Sequence, residues 1–204
     1  MCSTLTQESN YRAAHRSLRA AFPRLESLRT ARESDIAAAI ARGGLSRRKA
    51  AAIYSIVDRL VNEFGRPTLA PLARREDGDC EDFLLTLPLV GRKTARWVMM
   101  YSLGREVFPV DRHCWRVARR LGWVATLRRD GTCCAADEDG LQELIPPDLR
   151  LSLHVNLISF GRDVCRAQQP RCEVCPLVCR CPQIGVEPRR VRPTGPIVQA
   201  SGSA

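Results

Sequence analysis

Lys93 is the residue whose type and setting most directly allow chemistry. The chain holds 32 Lys plus Arg, and only two of these, Lys49 and Lys93, are lysines. Plain positive charge is therefore left to arginine, which stays protonated. A lysine amine can be desolvated, lose its proton and attack carbon. Lys93 lies in the run Leu87-Pro88-Leu89-Val90-Gly91-Arg92-Lys93-Thr94-Ala95, and Val110-Asp111-Arg112-His113 follows, with Asp111 eighteen residues beyond the lysine. A Gly-bearing turn that runs into a helix N-terminus presents backbone N–H groups to an anion. Such contacts hold phosphate whatever the base sequence. The same residues also suit an ordinary corner between two helices with a solvated lysine, so the rest of the chain has to decide.

A second constellation is metal-ligating. Five of the ten cysteines fall between Cys165 and Cys181, in the pattern Cys165-x6-Cys172-x2-Cys175-x5-Cys181. Four thiolates with no other ligand type suit zinc or an iron–sulfur cluster, and the spacing alone does not choose between them. Cys179 lies between the third and fourth positions and could replace Cys181 if the loop were read differently.

Length and charge bound the rest. A chain of 204 residues makes one to two domains with a real core. The formal charge of +10 and a pI near 9.5 point to a polyanionic partner. Nucleic acid fits better than a membrane, since no apolar run approaches the roughly 18 residues of a spanning helix. Met1-Cys2-Ser3-Thr4 does not open a secretory signal. Cysteines concentrated in one short loop favour a metal site in a reducing compartment over a disulfide framework.

The elements that must position these residues read as helices joined by short loops. Tyr11 to Phe22 follows Ser9-Asn10 as N-caps and stops at Pro23. Asp35 to Arg42 stops at Gly43-Gly44, and Ser46 caps a longer helix closed by Gly65. Leu69 to Arg75 is a short helix. Glu81 to Leu87 and Arg92 to Leu103 flank the Pro88–Gly91 turn as a helix-hairpin-helix. Asp111 to Leu121 ends at Gly122, Trp123 to Gly140 reads as a polar loop, and Leu149 to Phe160 ends at Gly161. Nothing alternates at period two, so the fold class is all-α. Residues 1–105 are expected as a helical barrel carrying the hairpin, 106–182 as a cysteine-bearing lobe, and 183–204 as a disordered basic tail.

Leu87–Ala95, Val110-Asp111-Arg112-His113 with Arg116-Val117, His154, Gly161-Arg162 and the cysteine quartet together resemble endonuclease III. That is the iron–sulfur branch of the helix-hairpin-helix DNA glycosylases, and the resemblance covers about residues 3–182. It implies that Lys93 attacks C1′ of a damaged nucleotide, that Asp111 assists, and that Cys165, Cys172, Cys175 and Cys181 hold a [4Fe–4S] cluster. It places Leu89, Val90, Gly91, Arg92, Thr94 and Arg162 at the DNA backbone. Gln7 is placed in the gap left by a flipped base. Gly44-Leu45…Lys49-Ala50 resembles another shared stretch and gives Lys49 a positioning or helix-start role.

The implied protein is a monomer in the cytoplasm, at the nucleoid if bacterial, acting on damaged double-stranded DNA. The implied reaction removes an oxidised pyrimidine and cleaves the abasic site. It needs a neutral amine at Lys93, which partial burial and the charges of Arg92 and Arg96 would favour if they face it. Asp111 is also a natural helix N-cap, and His113 and His154 read as structural. Three features depart from the family. Leu89 stands where the hairpin usually has its first Gly and is strained if φ there is positive. Phe160 stands where a His often precedes Gly-Arg. The sequence opens almost at the Gln7 segment, where family members generally have a preceding helix that packs on the cluster lobe; either the true start lies upstream or that lobe is less well covered. Alternatives are a glycosylase of other base specificity (adenine mismatch, T·G mismatch or pyrimidine dimer) and a DNA-binding iron–sulfur protein with little catalysis.

Overall fold

The computed structural model describes residues 8–124 and 132–186, and the described residues contain helices and no strands. In chain order they are α1 (Glu8–Ala21), α2 (Glu33–Ala39), α3 (Ser46–Phe64), α4 (Asp77–Leu85), α5 (Arg92–Leu103), α6 (Arg112–Arg120), α7 (Ala135–Leu144) and α8 (Arg150–Asp163). Short 3-10 segments sit between several of them, and two more follow α8 in the cysteine loop.

The all-α expectation holds, and the deviations have local causes. Ser9 and Asn10 lie inside α1 instead of capping it. Ser46 is the first residue of α3; the cap position is Leu45, at φ 51°. At the other end Gly65, at φ 74°, closes α3 by donating its N–H to Val61 O, as the sequence indicates. α4 starts earlier than expected because Asp77 and Asp79 favour a first turn whatever Gly78 costs there.

The larger corrections concern α7 and α8. A helix runs over Ala135–Leu144, whose first six residues were expected within the polar loop ending at Gly140. Asp137 closes a capping box with Cys134, and Asp137 and Glu138 place negative charge in the first turn. α8 does not stop at Gly161 but runs to Asp163. Gly161 is there for packing: a Cβ on it would stand 2.9 Å from His113 Cβ. Residues 183–186, expected as the start of a tail, fold back on α6, where Ile184 N–H donates to Arg120 O at 3.3 Å.

Three apolar clusters carry the core. One, including Leu28, Ile36, Ile53 and Val57, joins α1, α2 and α3. A second, including Leu72, Phe83, Leu84, Met99 and Val107, packs the hairpin helices α4 and α5 on the end of α3. The third, including Phe108, Val117, Leu141, Ile145 and Leu157, joins α6, α7 and α8. The hairpin and the helix that Asp111 begins thus rest on different clusters, joined by the extended connector 104–111.

Candidate active site

The hairpin turn is a type II turn. Val90 N–H donates to Leu87 O at 3.2 Å, Pro88 supplies the second position, and Leu89 takes the third with φ 59°. Leu89 is therefore in the left-handed region, at a cost of about 1–2 kcal/mol that a glycine would avoid. Gly91, the N-cap of α5, is different. Its φ of −101° and ψ of 176° are open to any residue, and a Cβ there would meet nothing within 4 Å. No side chain caps α5, so the N–H groups of its first turn are left to an outside acceptor. The fold does not need glycine at 91, whereas a close anion would.

Lys93 follows on the exposed side of that first turn. Lys49 is the contrast: it is 1% exposed and its ammonium donates to Gly43 O at 2.7 Å. Of the two lysines, one is committed to holding a loop, as expected, and the other is open. Lys93, Trp97 and Tyr101 follow one another at four-residue steps along α5. The Trp97 and Tyr101 rings lie against His154, with centroids 5.8 and 6.0 Å away.

Asp111 caps α6. Its Oδ1 accepts from His113 N and Cys114 N, both at 2.8 Å, so the capping role is real. Both bonds fall on Oδ1 and leave Oδ2 outside the cap. His154, fully buried between α5 and α6, registers both candidate groups. Burial lowers its pKa, the Asp111 carboxylate raises it and the Lys93 ammonium lowers it. Cys114 Sγ lies 3.5 Å from its Nδ1, with a thiol pKa raised first by burial and then by Asp111. His113 is likewise held below its ordinary range by burial, and its Nδ1 lies 3.1 Å from Arg116 Nη2. Both histidines read as structural.

Arg92 and Arg96 are placed otherwise than the chemistry of a neutral amine would ask. Arg92 pairs with Asp139 at 2.6 Å, Glu81 at 3.5 Å and Glu138 at 3.6 Å. Arg96, buried, pairs with Glu81 and Asp139 at 2.9 Å each. Their charges are spent on carboxylates of α4 and α7 rather than turned on the Lys93 amine. Hydrogen bonding to Arg92 holds Asp139 below the usual carboxylate range, and burial pushes Glu138 above it. Val90 and Thr94 are half-buried, Arg162 is exposed on α8, and Gln7 lies outside the described residues.

The cysteine loop wraps a cavity at the far end of α6. Cys165, Cys172, Cys175 and Cys181 all line it, with Val117 and Phe160 among the apolar walls; exposed Cys179 does not. Burial, then the neighbouring Cys175, Cys165 and Cys181, raise the pKa of the Cys172 thiol. Among the described residues no three or more His, Cys, Asp or Glu gather closely enough to hold a single metal ion.

Two arginines that sequence reasoning did not single out as ligands of this loop reach it from α6. Arg120, 7% exposed, donates to Cys165 Sγ at 3.2 Å, Arg166 O at 2.7 Å and Ala167 O at 3.1 Å. Arg116 donates to Cys165 O at 3.0 Å and Gly161 O at 2.7 Å. Neither has a carboxylate within salt-bridge reach among the described residues. The only advance signal was their four-residue spacing on a helix that must bury one face. Leu45 was also missed as a surface feature. It stands 53% exposed in the left-handed region, with Arg42, Arg47 and Arg48 exposed around it.

Comparison with known proteins bears on the family and the fold. Residues 1–147 match the HhH-GPD superfamily of base excision DNA repair proteins. Endonuclease III of Thermotoga maritima is 32% identical over 179 residues, 88% of this chain and 78% of that protein. The DNA glycosylase/AP lyase ROS1 of Arabidopsis thaliana is 28% identical over 169 residues, 76% of this chain but 12% of its own much greater length. Among solved structures, a trapped covalent intermediate of endonuclease III with DNA superposes with a TM-score of 0.74 at 27% identity, covering 89% of this chain and 79% of that one.

Proposed function

The chain belongs to the HhH-GPD superfamily of base excision DNA repair proteins and is an endonuclease III-like DNA glycosylase; from that premise we propose that it also cleaves the abasic site it makes, through a Schiff base on Lys93. One observation carries the proposal. The chain's one exposed lysine stands in the first turn of the second hairpin helix, one turn before Trp97, whose ring lies on the buried His154, and the same imidazole lies against Cys114 in the turn that Asp111 caps. We read α1–α5 and α6–α8 as the two lobes, with the damaged duplex between them.

The chemistry follows from those placements. The uncapped first turn of α5 and the open backbone at Gly91 receive a phosphate and set the strand beside Lys93. Leu45, apolar and thrust out among arginines, suits a wedge that enters an opened base step. Gln7 would face the base left without a partner. Once deprotonated, the Lys93 amine bonds to C1′ as the glycosidic bond breaks, and the electron pair of that bond leaves with the base. The Oδ2 side of Asp111 stabilises the positive charge that develops on the sugar and takes up the amine proton. Opening of the sugar gives an imine; loss of a C2′ proton then expels the 3′ phosphate, and water returns the lysine. An oxidised pyrimidine is the base class we propose.

The residues present fit a [4Fe–4S] cluster. Four thiols lining one cavity, with two guanidiniums from α6 that meet no carboxylate among the described residues, suit an anionic thiolate-bound group. Cys165, Cys172, Cys175 and Cys181 would hold it. Bound there it would fix the loop that carries Arg166, Arg171 and Arg180 towards DNA phosphates.

Borohydride trapping tests the reading on duplexes carrying an abasic site, an oxidised pyrimidine, a T·G mismatch, a pyrimidine dimer or no damage. A trapped adduct on the abasic and oxidised-pyrimidine duplexes, and none on undamaged DNA, is expected. Trapping on a mismatch or dimer duplex alone would move the base specificity. No adduct on any duplex, with folded protein that binds DNA, would leave a binding protein without lyase chemistry.

A further inference from the structure

α5 and α6 each begin with a residue of the proposed site, and the chain between them does little to fix their spacing. Lys93 lies at the end of α5 remote from the connector 104–111, about 15 Å from it along a helix of this length. Something else must hold that end of α5 relative to Asp111. α7 touches all three parts. Asp139 takes Arg92, the neighbour of Lys93, through both oxygens, with Nη2 at 2.6 Å and Nη1 at 3.2 Å. The same Asp139 Oδ1 takes Arg96 Nη2 at 2.9 Å. Two residues earlier, buried Asp137 accepts from Trp115 Nε1 at 3.1 Å, and Trp115 stands one turn after Asp111 on α6. Gln142 accepts from Phe108 N in the connector itself.

We propose that α7 is a strut that sets the separation of Lys93 and Asp111, with Asp139 and Asp137 as its positioning residues at the two ends. A bidentate carboxylate–guanidinium pair fixes orientation as well as distance, which a single contact would not. A buried carboxylate that takes an indole N–H and caps its own helix is similarly rigid. Neither aspartate touches DNA or the reacting atoms; each acts through the helix it holds. The proposal rests on the Lys93 reading for its catalytic consequence but not for its geometry.

The test uses the full chain with Asp139→Asn and with the conservative Asp139→Glu. At saturating abasic duplex, Asp139→Asn should form the trapped adduct about ten- to a hundredfold more slowly, the penalty of a misplaced reacting group. Equilibrium binding to the same duplex should change little. Asp139→Glu, which keeps the carboxylate, should recover most of the rate. Hydrogen exchange of the free proteins should show faster exchange in Asp139→Asn confined to the first turns of α5 and α7. An unchanged rate, a parallel loss of rate and binding, or exchange raised evenly over the chain would overturn the strut. If wild type itself forms no adduct, the Lys93 reading fails instead, and the exchange pattern alone then decides for or against the strut.

Discussion

Two adjacent helices carry arginine pairs at the same four-residue spacing and use them in opposite ways. On α5, Arg92 and Arg96 meet Glu81, Glu138 and Asp139, so their charge is balanced within the protein. On α6, Arg116 and Arg120 meet carbonyl oxygens, an imidazole nitrogen and the sulfur of Cys165, and no carboxylate among the described residues. Burying a cation without a counter-charge costs several kcal/mol. The first pair is therefore balanced within the protein, and for the second, on the reading proposed above, counter-charge would come from the cysteine loop. Four thiolates and a cluster would supply it. The same comparison says that Arg92 serves the architecture of the hairpin at least as much as it serves DNA.

The sharpest way to break the comparison is to remove one arginine from each pair. Arg120→Met should cost the purified protein most of its iron and sulfide, because it uncovers Cys165 and frees two carbonyls of the loop. Arg96→Met should keep its iron while losing about 1–3 kcal/mol of stability, the usual cost of leaving a charged partner short of hydrogen bonds. Iron and sulfide analysis after anaerobic purification checks both. Equal iron in the two variants, or one zinc and no sulfide in wild type, would end the distinction. Cys181→Ser should behave like Arg120→Met, and Cys179→Ser like wild type, since Cys179 stands off the cavity wall.

A glycine from each region extends the contrast at a smaller scale. Gly161→Ala puts a methyl 2.9 Å from His113 Cβ and should destabilise by about 1–3 kcal/mol. Gly91→Ala meets nothing and should stay within about 0.5 kcal/mol in a urea melt. It should nevertheless weaken binding to all duplexes alike, because the methyl intrudes where phosphate must approach. Loss of stability without loss of binding in Gly91→Ala would reverse the roles given to the two glycines.

The smallest effect concerns pH. Asp139 has its folded pKa held below the unfolded value by Arg92, so its contribution is present at neutral pH and is lost as pH falls through the folded pKa. Glu138, whose folded pKa is raised by burial, has the opposite sign: its ionisation weakens the fold as pH rises through that value. The two partly cancel, and the exposure of Asp139 screens its share. Thermal melts below about pH 4 should therefore converge for wild type and Asp139→Asn, having differed at neutral pH. A gap that widens with acid would put the sign wrong.

What could be read from the residues alone depended on how local their role is. Pro88 and Gly91 punctuate the hairpin, and the expected Arg92–Leu103 helix is α5 as found. Asp111 was legible as a cap because a cap is a bond to its own next turn. The strain at Leu89 followed from one backbone angle that the turn type demands. α7 was not legible: Ala135-Ala136-Asp137-Glu138-Asp139-Gly140 has no apolar stripe, and the partners that hold it are Arg92, Arg96 and Trp115 far away in sequence. Gly161 misled because a glycine that ends a helix and a glycine that lets two helices touch look the same in one dimension. Arg116 and Arg120 read as surface charge until the fold set them, one half-buried and one buried, against the cysteine loop.

Lys93→Arg tests the central claim most directly, because it keeps charge and approximate length while removing an amine that can lose its proton. The measurement is borohydride trapping and strand nicking on abasic duplex, beside equilibrium binding to the same DNA. The account predicts that the variant binds about as wild type does, forms no adduct and nicks no strand. Since Lys49 is buried on Gly43 O, no second lysine stands ready to replace it. An adduct formed by Lys93→Arg at the wild-type rate would show that another amine does the chemistry, and would contradict the account.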